Sequence, residues 1–214
     1  DVSHLQPSSR WYSGSGVYRD VYLWTGGSVR IEPWDMFVTT KELNVDSAAI
    51  NAGITVSADF DCDVTLTVKA LDADGICVAE KSVELGAKTG KNGCDVCLDI
   101  KNPKLWSCDT PYLYTLCTEV QANGQIEDTA EVTFGIRTIS FDAKNGFLLN
   151  GEPTKLRGGC IHHDHGVLGS AEFPAAIHRK ISLLKSVGYN AVRIAHNPPS
   201  LALLEVCDKL GMLV

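Results

Sequence analysis

The period of the hydrophobic pattern changes once along this chain, and that change limits the folds open to it. Up to about residue 141, apolar residues recur at every second position in short runs. Residues 54–60 (ITVSADF) and 64–71 (VTLTVKAL) alternate, 72–75 (DADG) supplies a hairpin turn before 76–85, and 94–100, 112–120 and 126–141 continue the series, with a second turn at Asn123-Gly124. A period of two is that of strands burying one face. Runs at this spacing, about 8–12 residues, predict an antiparallel sandwich. About seven strands fit between Trp34 and Phe141, the number of an immunoglobulin-like sandwich of roughly 100 residues. A further strand is expected at 17–23, with no obvious partner before it.

After Asn145-Gly146 the period becomes helical. Residues 156–160 read as a short strand, and 175–187 sets Ile177, Ile181, Leu184 and Val187 at helical spacing between Pro174 and Gly188. Residues 191–195 read as a buried strand, Pro199 opens a second helix through Leu210, Gly211 breaks it, and 212–214 begins another strand. The expected fold is therefore mainly β with an α/β C-terminal part. A β-α-β-α-β order builds parallel sheets with helices outside, doubly wound or in a (β/α)₈ barrel. Three strands and two helices close no barrel. A segment of a longer polypeptide is expected, with an apolar edge at Val192, Ile194, Leu213 and Val214 that favours a homo-oligomer.

Charge and cysteines narrow the function. A net charge of −7 gives no basic footprint for nucleic acid, and no apolar run approaches the ~20 residues of a membrane span. The first ten residues do not have the form of a secretion signal. The eight cysteines are expected to be reduced and mostly buried, which leans towards a cytoplasmic location. Cys94 and Cys97 form a C-x-x-C pair without the second pair of a zinc site.

Chemistry concentrates at the ends of the two parallel strands. Residues 158–166 (GGCIHHDHG) put His162, His163, Asp164 and His165 where α/β sheets bind ligands. Metal binding, hydrogen bonding to a polar substrate and a solvated His-rich loop all remain open. Neighbouring strand residues face opposite ways, so at most two of the four converge without a special loop. Residues 193–199 (RIAHNPP) end the next strand; Arg193 shares a face with Ala195, and His196 stands at the tip. An arginine inside a barrel mouth needs a carboxylate partner, catalytic or structural, because an unpaired buried charge is costly. Residues 106–114 (WSCDTPYLY) read as sandwich packing in preference to a sugar platform. No G-x-S-x-G, P-loop, G-x-G-x-x-G or H-E-x-x-H occurs.

Six segments, 15–22 (SGVYRDVY), 106–114, 134–137 (FGIR), 147–153 (FLLNGEP), 156–164 (LRGGCIHHD) and 190–197 (NAVRIAHN), resemble glycoside hydrolase family 2 in the same order, β-galactosidases above all. The resemblance implies the tail of a jelly-roll sugar-binding domain at 1–30, an immunoglobulin-like sandwich at 31–140, and the start of a truncated TIM barrel at 141–214. It implies retaining hydrolysis of terminal β-glycosides in carbohydrate metabolism. His163 and His196 are similar to the family's substrate-binding histidines, Arg193 to the arginine beside the nucleophile, and Asp164 joins them as a substrate-binding residue. Cys108 stands where many relatives have Pro, His162 where well-known β-galactosidases have Arg, and Arg10 near a sugar-binding Asp. Both catalytic Glu residues fall beyond Val214 on this resemblance, so no catalytic residue is expected within the segment and the 214 residues are expected to be inactive alone. No cofactor or metal is expected in this segment, with Mg²⁺ or Na⁺ a matter for a full-length enzyme. The competing reading is a non-catalytic carbohydrate-binding or interaction sandwich.

Overall fold

The structure is a computed structural model that describes Val17 and residues 19–214; Arg10 and most of the expected jelly-roll tail lie outside the described residues. Seven strands follow one another: β1 (Val29–Leu43), β2 (Ser47–Ala58), β3 (Cys62–Leu71), β4 (Cys77–Ala87), β5 (Gly90–Lys101), β6 (Tyr114–Ala122) and β7 (Gln125–Phe134). They form two antiparallel sheets, β1-β2-β5 and β4-β3-β6-β7. Alternation builds the core: Ile50, Ile54 and Val56 of β2 share one buried cluster with Val64, Leu66 and Val68 of β3 and Leu116 and Val120 of β6. This is an immunoglobulin-like sandwich.

Three expectations for this half are corrected. Residues 19–27 form no strand: Val21 and Leu23 are exposed, and a strand with no neighbour to complete its backbone hydrogen bonds gains nothing by forming. The run 126–141 is broken after Phe134. A Cβ on Gly135 would lie 2.7 Å from the Trp106 side chain, and Ile136 turns into the core while its carbonyl accepts from Trp106 N at 2.9 Å. Of the eight cysteines only Cys108 and Cys207 are buried; Cys77 and Cys97 fall on the outward beats of their strands and Cys160 on an exposed strand face.

A small antiparallel sheet, β8 (Ile139–Asp142), β9 (Gly146–Leu149) and β10 (Glu152–Pro153), leads into β11 (Gly158–Ile161), α1 (Pro174–Ser186), β12 (Ala191–Ile194) and α2 (Leu201–Leu210). β11 and β12 are parallel, from Gly158 opposite Ala191 to Ile161 opposite Ile194, and Leu213 adds a parallel bridge to Ala191. These are the opening units of a TIM barrel. Position 158 must be glycine, because a Cβ there would meet the Ala191 carbonyl oxygen at 1.8 Å. Pro174 starts α1; Ser200 caps α2 by accepting from Leu203 N, and left-handed Gly211 ends it.

Both helices cover one face of the parallel strands, burying Ile177, Ile181, Val192, Leu203, Val206 and Met212 together. The apolar edge is thus smaller than expected. Val192 is buried under the helices, Ile194 and Leu213 are half-buried, and only Val214 is exposed. Val187 also leaves the expected apolar stripe, because α1 stops at Ser186 and Val187 lies beyond it in solvent.

Trp106 joins the halves and does more than pack the sandwich. It is 1% exposed, its indole N–H donates to the Asp208 carbonyl at 2.8 Å, and the Arg137 guanidinium stacks over it at 4.5 Å. Lys185 of α1 donates to the carbonyls of Cys108 and Gly211. Burial raises the Asp208 carboxyl pKa, and nearby Arg137 opposes the rise.

Candidate functional site

β11 and β12 end side by side, so the residues leaving them are neighbours. Ala195 N donates to the Ile161 carbonyl at 3.1 Å, and the rings of His162 and His196 stand edge to face with centroids 6.0 Å apart. The peptide bond before His196 is cis. Positions 158 and 160 share with 191 and 193 the face turned away from the helices, whereas His162 and His196 lie beyond the strand ends, where the loops and not alternation bring their rings together. Cys160 and Arg193 are exposed on it, with Arg193 Nη1 3.5 Å from Cys160 Sγ.

The structure therefore brings the expected residues together selectively. His196 and Arg193 lie at the end of β12, but the imidazole next to His196 is that of His162; His162 and His163 both line a cleft with Arg19, His165, Glu172 and Lys180. Asp164 is engaged locally: its Oδ1 accepts from Lys180 Nζ at 2.9 Å, and the same ammonium donates to the backbone carbonyls of His162 (3.1 Å) and Asp164 (2.5 Å). Arg193 forms no ion pair with a carboxylate among the described residues.

Two cleft residues were not singled out as site residues in the sequence, although Arg19 lies in the motif segment 15–22. Arg19, from the unpaired segment before the sandwich, donates through Nη2 to the Pro198 carbonyl at 2.6 Å and through Nη1 to that of Pro199 at 3.4 Å. Its Nε lies 3.6 Å from Oε2 of Glu172, whose side chain is 8% exposed. Charge in the cleft is thus balanced as Arg19 with Glu172 and Lys180 with Asp164. His165 is held below the ordinary histidine range, mainly by burial and next by the Lys180 charge. Among the described residues no group of three or more His, Cys, Asp or Glu is arranged to hold a metal ion, and no helix is long and apolar enough to cross a membrane.

A sandwich joined to parallel βα units, with two imidazoles at the strand ends, is a β domain leading into the opening of a barrel. Comparison with known proteins gives the family. The model for "Glycosyl hydrolases family 2" matches residues 29–137, and that for "Glycosyl hydrolases family 2, TIM barrel domain" matches residues 142–214. The chain belongs to glycosyl hydrolase family 2. It is 43% identical over 212 residues to beta-galactosidase BoGH2A of Bacteroides ovatus, covering 98% of this chain and 25% of that protein. It is 29% identical to a beta-glucuronidase of Bacteroides fragilis, covering 100% of this chain and 31% of that one. A crystal structure of a family 2 member from Bacteroides cellulosilyticus superposes with a TM-score of 0.91 at 41% identity, covering 95% of this chain and 27% of that chain. The chain spans about a quarter of the length of these relatives.

Proposed function

We propose that the chain forms the sugar-binding shoulder of a retaining β-glycosidase of the β-galactosidase type, in which His162 and His196 hold hydroxyl groups of a terminal β-glycoside. The observation that carries this is the 6.0 Å pairing of these two rings at the C-terminal ends of adjacent parallel strands, where barrel enzymes bind substrate. A neutral imidazole offers one N–H donor and one acceptor, which suits a hydroxyl that also does both. Arg193, on the open strand face beside Cys160, provides a guanidinium that would keep a neighbouring carboxylate ionised. His163 and Asp164 border the site from the following loop. The galactoside preference draws support from the 43% identity to a beta-galactosidase.

Retaining hydrolysis uses two carboxylates about 5–5.5 Å apart, one protonating the leaving oxygen and one attacking the anomeric carbon. The carboxylates of the cleft are already engaged, Asp164 by Lys180 and Glu172 by Arg19. On this reading the acid/base and nucleophile belong to other parts of the enzyme, and these 214 residues alone are inactive. The test uses the full-length enzyme and this segment side by side with nitrophenyl β-galactoside and β-glucuronide. The full-length enzyme should prefer the galactoside and lose apparent affinity in His162→Ala and His196→Ala, while the segment reads background. Turnover by the segment would refute its inactivity, and unchanged KM in both histidine variants would refute the site.

A further inference from the structure

We propose that Arg19 is a positioning residue for the sugar site, fastening the loop that carries His196 from outside the barrel. This rests on the reading of His162 and His196 as sugar-binding residues. Each imidazole loop is gripped through its backbone carbonyls by one cation. Lys180, on α1, takes the carbonyls of His162 and Asp164 and is balanced by the Asp164 carboxylate. Arg19 takes those of Pro198 and Pro199 and is balanced by Glu172, on the segment leading into α1.

The two grips differ in origin. Lys180 belongs to the βα unit it steadies, whereas Arg19 reaches its acceptors across 179 residues of sequence. The need for an outside donor follows from the loop's composition. Pro198 and Pro199 have no N–H of their own, so the loop has few donors with which to close on itself. A guanidinium presents several donors in one fixed plane and can hold two successive carbonyls while its Nε edge faces a carboxylate. Charge-assisted bonds of this kind are roughly twice as strong as neutral ones. Because Glu172 precedes α1, the same guanidinium spans the loop after β11 and the loop after β12, and so sets the spacing between the two imidazoles.

The test uses the full-length enzyme with Arg19→Ala, Arg19→Lys and Glu172→Gln, read by amide hydrogen exchange without substrate and by steady-state kinetics on nitrophenyl β-galactoside. Arg19→Ala should speed exchange at His196 and Asn197 and raise KM about tenfold, with a smaller change in kcat, as expected for a misplaced binding group. Arg19→Lys should restore part of the KM, since one ammonium cannot reproduce the fork. Glu172→Gln keeps the shape but loses the counter-charge, and should shift KM the same way by less. If Arg19→Ala fails to fold, the lysine and glutamine variants decide, and wild-type exchange and KM in both would overturn the proposal. Exchange that rises evenly across the protein with KM unchanged would assign Arg19 a merely structural role and also overturn it. If instead the wild-type enzyme turns over no β-glycoside, the functional reading fails, while exchange at His196 and Asn197 still decides whether Arg19 holds the loop.

Discussion

The sandwich and the βα portion bury their strands differently. In the sandwich the strands turn one face to a facing sheet, so Leu66, Ile50 and Leu116 are completely enclosed, while the outer face carries mostly polar residues with Trp34, Phe37 and Ile126 exposed among them. In the βα portion the helices cover one face of β11 and β12, and the other carries exposed Cys160 and Arg193 and leads to the two imidazoles. A finished core gives stability, and an open strand face leaves groups free for chemistry. The first region thus supports, and the second can bind.

Substitution at Trp106 should break this comparison most severely. Trp106→Ala removes a fully buried indole and should cost about 3–5 kcal/mol. Hydrogen exchange should show protection lost mainly from α1, α2 and β12, with β2, β3 and β6 retained; an even loss would mean that the regions fold as one. Leu66→Ala, in the sandwich core, should cost about 2–5 kcal/mol, with the loss of protection concentrated in the two sandwich sheets. A milder probe is Ser200→Ala, which removes the cap of α2 and should lower stability by about 1 kcal/mol in urea unfolding without altering exchange in the sandwich.

The smallest effect concerns pH at the junction. The Asp208 carboxyl titrates above its ordinary 3.8 in the folded chain, chiefly because it is buried. A raised pKa means that folding favours the protonated form, so its contribution is full below pH 3.8 and is lost as pH rises through the folded value. Asp208→Asn should therefore be more stable than wild type at about pH 7 and equal to it at about pH 3. Urea midpoints at the two pH values check this; a gain in acid as large as the gain at neutral pH would contradict burial of the charge as the cause.

The sandwich strands were legible because each has a single buried face, so alternation in β3 and β6 maps directly onto inside and outside. β1 was harder to read. Pro33 and Trp34, with Trp34 at φ +63°, interrupt its alternation, and its register with β2 shifts between Ile31 and Met36. Residues 17–23 carried strand-like composition but no neighbour to pair with. In the βα portion Pro174, Gly188 and Gly211 marked helix termini through local backbone preferences, while the second helix, expected to open at Pro199, starts at Leu201 because Ser200 caps it. His163 drew attention by motif position, yet the ring beside His196 is that of His162.

By itself the sequence determined the order of elements, the switch from alternating to helical periodicity, and the two strand ends where polar chemistry collects. These are local properties, set by the period of side chains along a strand or helix and by the backbone freedom of Pro and Gly. Only the tertiary structure decided that Trp106 joins the two halves, that His162 stands beside His196, and that Arg19 grips the loop of Pro198 and Pro199. Those contacts join residues far apart along the chain or fix a direction after a strand has ended, where no periodicity remains and only packing and charge balance choose the partner.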